Sequence, residues 1–205
     1  MRAFRRLAAL TAVTASAGLL LASAGGIASA AAKPAASVRL TSGHTWVTTG
    51  PGIATALIKH GIIPLAAAPG AQWLTLSPGV AAHFAFPVTG GKVSLSPLGG
   101  RVYHRGGIVF LNARTGKQIE VSNFTISLTH GDLTGIVNGN PKVRVPIFWL
   151  NLSHAVLKAG KHAVWARGIG LTLTKVAAGA LNASLGTKLF AGGLKLGTAA
   201  TLLRF

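Results

Sequence analysis

Carboxylates are almost missing from this sequence. Glu120 and Asp132 are the only acidic residues among 205, against 20 lysines and arginines and a formal net charge of +18. Hydrolysis through two carboxylates flanking a bond is left with that one pair. Glu120 follows a hairpin turn and reads as a cross-strand partner for a lysine or arginine, and Asp132, in His130-Gly131-Asp132, reads as a turn residue. Cysteine is absent, which excludes disulfides, thiol nucleophiles and cysteine-held zinc or iron–sulfur sites. The seven histidines (44, 60, 83, 104, 130, 154 and 162) show no ligand spacing. Neither His-Glu-x-x-His nor Gly-x-Ser-x-Gly occurs. No metal site and no catalytic residue is therefore expected. Thr89-Gly90-Gly91-Lys92-Val93-Ser94 is glycine-rich and basic, but its glycine spacing is wrong for a P-loop and valine follows the lysine.

Long apolar runs are confined to the N-terminus. Arg2, Arg5 and Arg6 precede an apolar stretch from Leu7 to about Ile27, and Ala28-Ser29-Ala30 matches a small-x-small cleavage site. This predicts a signal peptide over 1–30, the alternative being a retained anchor helix. A flexible leader over 31–37 and one domain over 38–205 follow. No other segment approaches the roughly 20 apolar residues of a membrane helix, so no transmembrane segment is expected in the mature chain. Removing the three N-terminal arginines leaves 17 basic residues against two acidic ones, a formal charge of +15.

So lopsided a charge repels itself in a compact state and points to anionic surroundings. The fitting partners are an anionic small ligand, a cell-wall polyanion or a lipid headgroup. The basic residues are scattered and form no run of five to eight, which argues against specific nucleic-acid binding. Their spacing is more informative. Arg101, Tyr103 and Arg105 lie two apart and would share one face of a strand, as would Lys142 and Arg144. Both stripes also fit the solvated face of half-buried strands.

Alternation and β-branched content predict strands near 38–41, 72–76, 83–88, 92–95, 101–104, 107–113, 117–129, 133–138, 142–151, 162–167, 169–173 and 198–203. Glycine-rich turns separate them, and the short connections from 107 to 138 predict an antiparallel meander. Pro146 inside an apolar run predicts an edge or bulged strand. Helices are predicted over 51–60, stopped by Gly61, and over 175–185, between an N-cap at Thr174 and Gly186. The expected fold is mainly β: an antiparallel sandwich or distorted barrel with one or two short helices. The terminal Phe205 resembles an outer-membrane barrel signal, but the predicted strands are too short and too few of them alternate cleanly for that architecture. Trp46, Trp73, Trp149 and Trp165 serve either as packing or as stacking surfaces. Trp46 and Trp73, beside turns, are the better surface candidates.

Four landmarks carry a resemblance: Phe86-Pro87-Val88-Thr89-Gly90-Gly91, then Gly99-Gly100-Arg101-Val102-Tyr103-His104-Arg105-Gly106-Gly107, then Val121-Ser122-Asn123-Phe124-Thr125-Ile126, then Gly131-Asp132-Leu133-Thr134-Gly135. With a tail running from Leu171-Thr172-Leu173 to Gly197-Thr198-Ala199, they resemble small secreted actinobacterial proteins and, more distantly, HtaA-type domains. That resemblance implies a β-rich, non-enzymatic envelope module that binds haem. It places His104 at the family's supporting histidine and Trp46 at its N-terminal tryptophan. The Ser-Phe and the tyrosine ligand that follow in the family are missing here, and Thr55 falls near the ligand's place. Haem would then need His104 or a helix histidine such as His60 as its axial ligand. Nearby basic residues such as Arg101 and Arg105 would face the propionates. Tyr103, the chain's only tyrosine, and His104 are strand neighbours and point to opposite faces. The alternative is a structural or adhesive envelope protein holding wall polymer or lipid through diffuse positive charge.

Overall fold

The computed structural model describes residues 37–205. The predicted signal peptide, and the leader up to residue 36, lie outside the described residues. The elements run β1 (Ser37–Leu40), β2 (Ser42–Thr49), α1 (Ile53–Lys59), β3 (Ile62–Ala67), β4 (Ala71–Thr75), β5 (Ala81–Leu95), β6 (Leu98–His104), β7 (Gly107–Asn112), β8 (Gln118–Ser127), β9 (Asp132–Val137), β10 (Asn140–Asn151), β11 (Val156–Ala159), β12 (Ala163–Leu173), α2 (Lys175–Leu185) and β13 (Lys195–Arg204).

Eight strands close into an antiparallel barrel in the order β5-β2-β13-β12-β10-β9-β8-β6, with β6 returning to β5. The other strands extend the wall: β1 and β4 pair with β5, β11 with β12, and β7 with β8, carrying β3 beyond it. The meander predicted for 107–138 is present as β7-β8-β9. Of the two architectures expected from sequence, the barrel is the one formed.

Alternation sorts the side chains. Along β5, Ala82, Phe84, Phe86 and Val88 are buried while their neighbours are partly exposed. The lumen is filled with Phe, Leu, Ile and Val from all sides, as an eight-stranded barrel allows. Such an apolar filling differs from the polar interior of a membrane barrel. No helix among the described residues is long and apolar enough to cross a membrane.

The two helices stand where predicted. In α2, the Thr174 hydroxyl accepts a hydrogen bond from the Ala177 backbone N–H at 3.0 Å, and Gly186 ends the helix in the left-handed region at φ 64°. Its buried face, Ala177, Ala178, Leu181 and Leu185, packs against β7, β8 and β10. The shorter α1 buries only Ala54 and Leu57.

Several boundaries depart from expectation. The predicted strands at 83–88 and 92–95 are one strand, β5, and the expected turn at Thr89-Gly90-Gly91 is a register shift within it. Likewise 162–167 and 169–173 join as β12, with the irregularity between Ala166 and Ile169. Closing a barrel requires such bends, and glycine supplies them. Pro146 sits at a register shift of β10, as its chemistry demands. Strands β2, β3 and β11 have no counterpart among the predictions. β3 carries Pro64, which is tolerated because β3 ends the sheet path.

Candidate ligand site

Strand β6 is the centre of interest, because its two faces differ in chemistry. Inside, His104 is 5% exposed. Its Nε2 lies 2.8 Å from the Thr45 hydroxyl, which lies 2.8 Å from the Thr201 hydroxyl, which donates to the His44 carbonyl at 3.2 Å. Thr45 and Thr201 are directly opposite in the β2–β13 ladder, so the sheet register builds the hydroxyl pair. Burial in this apolar lumen lowers the His104 pKa from 6.5 to about 4. The Phe124 backbone, at the bulge of β8 between Ser122 and Thr125, pulls weakly the other way. It does so without completing a hydrogen bond of ordinary geometry, and the buried Nδ1 has no partner. Voids of about 60 Å³ remain on either side of this polar row, one towards the helices and one towards the β5–β6 hairpin.

Outside, the same strand presents Arg101 and Tyr103, both exposed. They border a groove of about 530 Å³ together with Lys92, Ser94, Leu98 and the Gly99-Gly100 backbone. Lys92 stands directly opposite Arg101 in the hairpin, and Gly91 opposite Val102. Two glycines make this approach possible. A Cβ on Gly91 would meet the Arg101 carbonyl oxygen at 2.2 Å, and one on Gly100 would meet the Lys92 carbonyl oxygen at 2.0 Å. Both adopt positive φ, 135° and 100°, which side chains disfavour. The Ser94 hydroxyl oxygen is buried in the groove wall without a hydrogen-bond partner.

The remaining sequence candidates are dispersed. Arg105 is exposed just past β6, its N–H bonded to the Pro87 carbonyl at 3.2 Å. His60 is exposed and caps α1, apart from His104. Trp46 lies on the outer wall and stacks on Trp165 at 5.5 Å and 8° between ring planes. Thr55 is exposed on α1. Lys142 and Arg144 sit in the exposed first half of β10, where the Arg144 guanidinium donates to the Thr134 hydroxyl at 3.2 Å. Of all these, the structure brings together only Tyr103 and Arg101, and it adds Lys92. The sequence held a signal for Lys92: a hairpin centred on Ser96-Pro97 pairs position 92 with 101.

The C-terminal domain of HtaA from Corynebacterium glutamicum superposes with a TM-score of 0.57 at 14% identity, covering 81% of this chain and 98% of that one. The likeness is one of fold. A domain-swapped dimer of a variant of that domain gives a TM-score of 0.51 at 15% identity, covering 74% and 90%. A heme binding protein, HtaB from the same organism, gives 0.45 at 12% identity, covering 82% and 96%, too distant for argument. No protein-family model matches the chain, and no curated protein matches it by sequence. The HtaA-type fold expected from the sequence landmarks is thus the fold observed, at an identity too low to carry function with it.

Proposed function

We propose that this chain is an exported, non-enzymatic binding module of the cell envelope that captures an anionic ligand, with haem as the candidate. The carrying observation is the convergence of Tyr103, Arg101 and Lys92 on a groove of about 530 Å³, within the roughly 300–1,000 Å³ common for ligand sites.

The two faces of β6 differ in how they suit haem. His104 has a suitable donor, a neutral imidazole with an unpartnered nitrogen, but beside it lies a void of only about 60 Å³, too small for a macrocycle. The outer groove has both room and donors. Tyr103 would offer its phenolate oxygen to the haem iron. Lys92 and Arg101 would pair with the propionates, and Leu98 and Pro97 would give an apolar edge. His104 then supports the wall rather than the ligand. Haem, when bound, would supply the iron-centred chemistry.

Titration of the full chain with haemin, followed by visible absorbance, tests this reading. A saturable one-to-one band that survives moderate salt, is lost in Tyr103→Phe and persists in His104→Gln is the expected result. A band lost only in His104→Gln would move the ligand into the lumen. No band would remove haem and leave anion capture by the groove.

A further inference from the structure

The cationic pair on the groove is part of a longer row. On β1, Arg39 stands directly opposite Lys92, which stands directly opposite Arg101. All three are exposed, and their strand neighbours Leu40, Val93 and Val102 are buried in the core. The three cations therefore project from one face of three adjacent strands, which lie about 4.8 Å apart. Arg101 continues to Ser127 and then to Asp132 on the next two strands, so the nearest carboxylate in the row is separated from it by a serine. Like charges directly opposite one another work against sheet pairing. A fold that holds three of them in register, with Gly91 and Gly100 permitting the close backbone approach of β5 and β6, keeps a feature that folding alone does not favour. A bound anion would relieve it.

We propose that the outer face of β1, β5 and β6 is a binding site for a linear polyanion, one carrying repeated oxyanions along its length. Two cations match the two carboxylates of haem. The third, Arg39, extends the row across two strand spacings and fits a ligand whose charges repeat. Ser94, two residues along the strand from Lys92, borders the same groove, its hydroxyl oxygen buried and without a partner. Arginine offers a planar fork to phosphate or carboxylate, and lysine a point charge. The shared chemistry is thus the repeated oxyanion, and phosphate and carboxylate polymers are its two sources. This site does not depend on haem capture, although the two share Lys92 and Arg101.

The test uses the full chain with long-chain polyphosphate and with polygalacturonate, measuring affinity across a range of salt. Arg39→Gln and Arg101→Gln are each expected to weaken the preferred polymer by about tenfold, as loss of a charged contact does. The slope of log affinity against log salt should fall by roughly one for each cation removed. Lys195→Gln, an exposed cation on β13 outside the row, should change affinity by less than about twofold if contacts are local. Preference for one polymer names the source. Equal losses in Lys195→Gln and Arg39→Gln would mean diffuse charge and overturn the site, as would no binding to either polymer. Arg39→Gln should leave any haemin band intact, so failure of the polymer site and failure of the haem reading are separable. A thermal melt of each variant confirms that the loss is not one of folding.

Discussion

The two faces of β6 carry adjacent residues, Tyr103 and His104, and opposite physics. On the lumen side a single imidazole is held neutral among phenylalanines, tied to a hydroxyl pair and given about 60 Å³ of free space. On the outer side a phenol and a row of cations border about 530 Å³ of groove. The inner face makes the barrel stable, while the outer face accepts a cost in like-charge repulsion and stays open. A dipeptide that reads as one motif is divided by a wall, so stability and recognition can be altered separately.

The lumen should be the more fragile side. Phe84 is 3% exposed and packs parallel to Phe86 with centroids 6.4 Å apart. Phe84→Ala is expected to cost about 3–5 kcal/mol, because it removes buried contacts and leaves a cavity. Denaturant unfolding would measure it. A loss below about 1 kcal/mol would mean that the lumen relaxes around the gap and does not set the stability of the wall.

Acid should act through the same side. His104 titrates near 4 in the folded chain against 6.5 when unfolded. Between those values the unfolded chain binds the extra proton. His104 thus contributes stability that is fully present above pH 6.5 and lost as pH falls towards 4. The shift corresponds to about 3 kcal/mol. In His104→Leu this part of the pH dependence should disappear from unfolding curves taken between pH 7 and pH 4. An unchanged pH profile would show that the lumen admits water to the imidazole.

The comparison also explains what was readable in advance. The barrel's inward alternation along β5 and β8, the cap at Thr174 and the stop at Gly186 were visible because each follows from local residue chemistry. Strand β2 was missed because Ser42–Thr49 mixes small polar residues with His44 and Trp46, and only its pairing with β5 and β13 decides its state. Gly91 reads as part of a turn because glycine accepts positive φ, while the close cross-strand approach of Gly91 and Gly100 belongs to the three-dimensional ladder. At the site, alternation alone separated Tyr103 from His104. Lys92 and Arg39 entered only with register, since residues 39, 92 and 101 are neighbours through pairing and not through sequence.

The smallest expected effect lies on the outer face and has the opposite sign. Removing Arg101 takes away a like-charge neighbour of Lys92, while the side chain is exposed and little packing is lost. Arg101→Gln should therefore stabilise the ligand-free chain by roughly 0.2–1 kcal/mol at low salt. The gain should shrink as salt rises towards 1 M, where the screening length falls to about 3 Å. Thermal melts at two salt concentrations read this directly. A salt-dependent rise in Tm would show that the wall holds its cations at a cost, as a surface kept for an anion must. A fall in Tm at both salts would mean that the Arg101 stem packs against the sheet, and that its place in the row is structural.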